Sequence, residues 1–190
     1  MFKKTLKWLD TKIKAFADSA PISQDEKTRF QHYIIFMMLG LPTMLVFGVD
    51  NLLNGNNLIF VFCLVTAFGL ITGLVILKNI KNSSWVYRII ALLFVCLVNY
   101  MIIIGGDDGS KALWSYIVPL FCCFLFGAKE GVIWSSIVLV MSIFTFTQSS
   151  IFSIDVYSYS PSFQLRFIIT YVFCTIISMW LEHSRNFFLK

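Results

Sequence analysis

Charge is what this chain has least of. Asp, Glu, Lys and Arg make up 13% of its 190 residues, about half the share found in soluble domains. So large a deficit excludes an ordinary water-exposed surface. Strict polar–apolar alternation is missing too, which excludes a membrane β-barrel. Histidine is scarce: His32 follows basic residues at the start of the first apolar run, and His183 ends the last. Neither lies within a membrane-depth helix, which argues against haem. The cysteines (Cys63, Cys96, Cys122, Cys123 and Cys174) show no zinc-site spacing and read as small apolar packing residues. No nucleophile–base set is present, so no catalytic residue, metal or cofactor is expected. The first twenty residues lack the continuous apolar core and small-residue cleavage site of a signal peptide.

What is present is apolar. Hydrophobic residues reach 58% and mean hydropathy is +0.80. They come in long runs such as "LIFVFCLVTAFGLITGLVIL", Leu58 to Leu77. About 20 such residues cross a hydrocarbon core of ~30 Å as a helix. Six spans follow, at about 30–53, 58–77, 84–104, 113–127, 131–151 and 163–183. The expected fold is all-α, a polytopic membrane bundle of six transmembrane helices over residues 28–184. The fourth span is short, and is expected to extend at one or both ends and to kink at Pro119, near its middle.

Lys and Arg placement sets the expected orientation. With both termini in the cytoplasm, thirteen of the fifteen basic residues lie inside, leaving only Lys111 and Arg166 outside. The net charge of +5 then needs no nucleic acid; membrane lipids are the natural partner.

Before the spans, Phe2, Leu6, Leu9, Ile13 and Phe16 share one helical face, with Lys3, Lys7 and Lys14 opposite and Trp8 to the side. That pattern predicts an amphipathic interfacial helix over residues 1–20, with packing on cytoplasmic protein as the plainer alternative. Ser23 and Glu26 have capping-box spacing for the next helix. Loops are short: "NLLNGNN", "GGDDGSKA" and the longer "SIDVYSYSPS" outside, "KNIKNSS" and "GAKEG" inside. None is long enough for a folded domain, and no internal repeat stands out. The last span runs without a breaker into "WLEHSRNFFLK". Residues 181–190 therefore read as the start of a connector helix, or as a chain cut short. Leu181 and Phe188, seven apart, suggest a coiled-coil seam and a homodimer through this helix.

"GGDDG", Gly105 to Gly109, mimics the start of a GGDEF cyclase signature. It follows an apolar run on the expected outer face, away from cytoplasmic GTP, so it reads as an interhelical turn. Ionisable residues near membrane depth are few: Asp50, Arg88, Glu130 and Arg166, each near a span boundary. One outer cluster remains. It comprises Asp50 and Asn51, Asn99 and Tyr100, Trp114 to Tyr116, Thr147 and Gln148, and Arg166. Asp50, Asn99, Trp114, Tyr116, Gln148 and Arg166 are the expected ligand-binding residues, against the reading of an aromatic belt with interfacial hydrogen bonds.

The stretch from Gly105 to Gly131 resembles the membrane-associated sensor regions that precede GGDEF cyclase domains and histidine kinases in bacteria. The resemblance rests on Gly105 and Gly106, Leu113 and Trp114, Pro119, Phe124 to Gly127, and Gly131. It implies a multi-pass sensor in the bacterial inner membrane that regulates a C-terminal cytoplasmic output domain, a diguanylate cyclase first and a histidine kinase next. In this reading a small ligand at the outer cluster, or a membrane property, biases two helix packings. The rival reading is a small transporter or permease-like protein.

Overall fold

The computed structural model describes residues 2–80, 84–148, 150–151 and 154–188. Among them, seven α-helices follow one another: α1 (Phe2–Asp18), α2 (Gln24–Leu53), α3 (Asn57–Asn79), α4 (Ser84–Ile104), α5 (Ile117–Phe126), α6 (Ala128–Thr147) and α7 (Pro161–Phe188). A 3-10 segment, Asp107–Tyr116, precedes α5. Between α6 and α7, β1 (Ser150–Ile151) and β2 (Ile154–Asp155) pair antiparallel as a minimal hairpin. Six helical stretches are long and apolar enough to cross a membrane, so the fold is all-α and multi-pass. The chain divides into two compact units, residues 1–93 and 94–190, with the boundary inside α4.

In the first unit, α2 starts where the sequence says it should. The Ser23 hydroxyl accepts from the Glu26 backbone N–H, and the Glu26 carboxylate accepts from the Ser23 backbone N–H. These two bonds satisfy orphan donors of the first turn. Tyr33 ties the helices of this unit together. Its hydroxyl donates to the Leu70 carbonyl of α3 at 2.6 Å, and its ring meets Tyr87 of α4 edge-on at 5.9 Å.

The first helix is present, and its second half packs against α2. Ile13 and Ala17 are buried, and the Phe16 ring lies 6.1 Å from Phe30 of α2. The side chains of Phe2, Lys3 and Leu6 lie outside the described ones, as do those of Phe188 and Asp107, and residues 81–83 of the "KNIKNSS" loop.

In the second unit span four extends at its start, as expected, and two other boundaries differ from the expected ones. Span four is a composite of the 3-10 segment and α5, running Asp108–Phe126. Pro119 lies near the middle of this composite span, in the first turn of α5 just after the 3-10 segment. A first-turn residue has no intrahelical partner for its N–H, so proline fits there without breaking the helix. "GAKEG" is not a loop: Gly127 alone joins α5 to α6, at φ +86°, and Ala128 to Gly131 already belong to α6. Span five ends at Thr147, and Ser150–Ile151 pass to the hairpin.

Gly131 allows α5 and α6 to touch backbone to backbone. A Cβ there would lie 2.5 Å from the Cα of Cys123. No side-chain rotation relieves a clash with main chain, so only glycine fits. Cys122 and Cys123 are buried in this contact, as small packing residues should be.

Candidate functional site

The end of the second unit that carries the glycine turn is held by a set of backbone and tyrosine hydrogen bonds. After Ile104 the backbone turns through Gly105 and Gly106, both at positive φ. Asp108 and Gly109 follow in the same left-handed region. Backbone bonds fold the turn on itself: Gly105 N–H donates to Met101, and Lys111 N–H to Gly105. The turn is thus a scaffold, as glycines and an aspartate there suggest.

Two tyrosines lie on it. The Tyr157 N–H donates to the Ile103 carbonyl at 2.9 Å, and the Tyr159 hydroxyl donates to the Ile102 carbonyl at 2.6 Å. Both acceptors are in the last turn of α4, where carbonyls have no intrahelical partner. The Tyr157 side chain covers Gly105 so closely that any Cβ there would run into it, and Tyr159 covers Gly109. Burial, and then the neighbouring Tyr157, push the Tyr159 hydroxyl above the usual tyrosine range. It therefore stays a donor at neutral pH.

From Tyr159 an aromatic row descends α7. Tyr159 stacks on Phe163 at 4.9 Å, Phe163 on Phe167 at 6.1 Å, and Phe167 on Tyr171 at 5.9 Å. Steps of four residues put Phe163, Phe167 and Tyr171 on one helix face. Phe146 of α6 meets both Tyr159 and Phe167 edge-on, at 5.0 and 5.2 Å. Tyr171 donates to the Ser135 carbonyl of α6 at 3.1 Å. At the far end of α7, Glu182 is buried and pairs with Arg185 at 2.6 Å, whose guanidinium lies 5.7 Å over the Phe124 ring of α5.

Of the expected ligand-binding residues, Tyr116 joins this row, 5.3 Å from Phe167 and 6.3 Å from Tyr171. Trp114 is half-buried in the 3-10 segment, next to the exposed Leu113. Asn99 is half-buried on α4: its Nδ2 donates to the Val95 carbonyl, while its enclosed Oδ1 has no hydrogen-bond partner among the described residues. Gln148 is exposed and caps α6 through its backbone N–H. Arg166 is exposed, shares its face of α7 with exposed Leu165, Ile169 and Phe173, and makes no ion pair among the described residues. Asp50 belongs to the first unit, where it is exposed and accepts from Asn54 at 3.3 Å.

The residues that organise this end were not among those expected. Tyr157 and Tyr159 lay in a loop, though their i, i+2 spacing in an extended segment was a readable signal that both face one side. Glu182 and Arg185, three apart on one helix, had ion-pair spacing.

The arrangement holds one ordered polar end, a buried aromatic face along the last helix, and a buried ion pair at that helix's other end. No curated protein and no solved structure matches the chain, but one family does, over residues 24–187. That match spans every candidate membrane span. The chain belongs to the MASE6 family of membrane sensor domains.

Proposed function

We propose that this sensor domain is the input module of a bacterial signalling protein. In this reading α7 carries a change of packing to a cytoplasmic output domain, a diguanylate cyclase first and a histidine kinase next. The observation that supports it most is one face of α7, running from half-buried Phe163 through buried Phe167, Tyr171 and Ser178 to buried Glu182. A helix of this length extends ~40 Å at ~1.5 Å per residue. Its first turn packs on Tyr159 and its last turn on α5, so a shift at one end is felt at the other.

The asymmetry of basic residues supports cytoplasmic termini and an outer glycine turn. A small molecule is then bound on the outer side beside Asn99, Trp114 and Tyr116, and the exposed apolar face of α7 pairs two copies. Such a ligand acts only by favouring one packing over another. Tyr159 is the residue it must move.

The test is a fusion of residues 1–190, in continuous helical register, to a diguanylate cyclase domain stripped of its own input. Cyclic di-GMP is measured in cells for wild type, Tyr159→Phe and Glu182→Gln. The expected result is a shifted output in both variants at equal membrane levels. Output that ignores both substitutions, and also ignores a one-residue change of register after Phe188, would remove α7 as the relay.

A further inference from the structure

We propose that the first half of α1, anchored at Phe16, binds an anionic phospholipid surface. The helix is divided in use. Its second half is docked, with Ile13 and Ala17 buried and Phe16 held between Phe30 of α2 and Lys78 of α3, whose Nζ lies 4.6 Å from the ring centroid. In its first half the described side chains of Lys7 and Trp8 are exposed. Trp8 is 60% exposed, and the Lys12 ammonium lies 5.9 Å from its ring.

The charges sort in the same way. Asp10 is occupied by Lys14 at 2.8 Å, and Asp18 by Lys27 at 3.4 Å. Lys7 and Lys12 have no carboxylate among the described residues. Arg29 and Lys78 add positive charge at the same end of this unit. An exposed indole beside ammonium groups, next to the start of a membrane span, matches the headgroup zone on both counts. The ring suits the boundary between water and acyl chains, and lysines are drawn to anionic headgroups. Phe16 fixes the height and direction from which Trp8 and Lys12 reach that surface. The inference is independent of what the domain senses.

The experiment uses the full chain in nanodiscs of phosphatidylcholine, with and without phosphatidylglycerol. Acrylamide quenching of Trp8 is taken as the difference between wild type and Trp8→Phe. Phosphatidylglycerol is expected to shield Trp8, and 0.5 M salt to reverse the shielding, since screening at about that strength is nearly complete within a few ångströms. Each lysine near such a surface contributes about a fivefold change in the bound fraction's equilibrium. Lys7→Gln/Lys12→Gln should therefore lower it by about twenty-five-fold, while Lys111→Gln, in the other unit, leaves it unchanged. Equal quenching in both lipids overturns the proposal. So does shielding that survives the double substitution, because α1 would then rest on protein, its own or a second copy's.

Discussion

The Tyr159 hydroxyl donates to the Ile102 carbonyl across 2.6 Å, joining residues 57 positions apart. That one bond ties the segment before α7 to the end of α4. Tyr159→Phe keeps the ring on Phe163 and Phe146 but leaves a buried carbonyl without its donor. The expected cost is about 1–3 kcal/mol. It is read from the unfolding midpoint of the detergent-solubilised protein, and an unchanged midpoint would show that the bond contributes nothing.

The same hydroxyl predicts a pH dependence. Its pKa is raised above the ordinary 10.0, by burial first and by Tyr157 second. Below that ordinary value the tyrosine is protonated in both states, and its contribution is fully present. Above it the unfolded chain loses the proton while the folded one keeps it, so stability falls as pH rises. Between about pH 9 and 11, wild type should lose stability more steeply than Tyr159→Phe. Parallel curves for the two proteins would rule out this assignment.

Much of this fold is legible in residue order, because lipid imposes a coarse rule. A span needs a long apolar run, and each of the six expected spans overlaps a candidate one. The Ser23–Glu26 box was legible for a similar reason: its whole chemistry lies within four residues. What was not legible depends on partners distant in sequence. The setting of Pro119 was not legible because nothing local says that the turn from Gly105 winds on as a 3-10 segment to Tyr116, which leaves the proline in the first turn of α5. Tyr159 looked like loop because its partners, Ile102 and Phe146, are 57 and 13 residues away. Arg166 drew attention as an isolated charge, yet a charge near a span end says little about which way its face of the helix points.

Gly131 should tolerate no side chain. A Cβ at that position would lie 2.5 Å from the Cys123 Cα, so Gly131→Ala must push α5 and α6 apart along their contact. Overpacking of this kind costs about 1–3 kcal/mol. Gly40→Ala is the control. Its Cβ would meet only the Leu70 side chain at 3.9 Å, an ordinary contact, and alanine favours the helix by up to ~1 kcal/mol. Thermal unfolding should move in opposite directions for the two variants. Equal midpoints would mean that the α5–α6 approach is not tight.

Arg166 should behave as a surface charge. It is exposed among apolar residues on α7 and has no ion-pair partner among the described residues. Its long apolar stem suits a position where the guanidinium reaches headgroups. Both Arg166→Lys and Arg166→Gln are expected to stay within ~0.5 kcal/mol of wild type. In the cyclase fusion, Lys should match Arg. A Lys variant that is stable but silent would instead show that a planar, two-pronged contact is needed there, which an ammonium cannot make.

Glu182 and Arg185 close the other end of α7, and their burial sets the size of the effect. The Glu182 side chain is 2% exposed and that of Arg185 21%, with 2.6 Å between Oε1 and Nη2. The guanidinium also covers Phe124, so the pair fastens α7 to α5. Removing the arginine alone leaves a carboxylate enclosed with its main counter-charge gone. Arg185→Ala is therefore expected to cost about 3 kcal/mol or more. Replacing both residues removes the stranded charge together with the attraction, so Glu182→Gln/Arg185→Gln should cost less than its two single changes added. The measurement is a double-mutant cycle on chemical unfolding. A coupling energy below ~1 kcal/mol is what a surface pair gives, and it would mean that the α7 end is not fastened in this way. Amide exchange supplies the second readout: Arg185→Ala should speed exchange in the last turns of α7 while leaving Ile103 and Tyr157 protected. If both ends loosen together, the two anchors of α7 form one cooperative unit, and the helix transmits strain along its whole length.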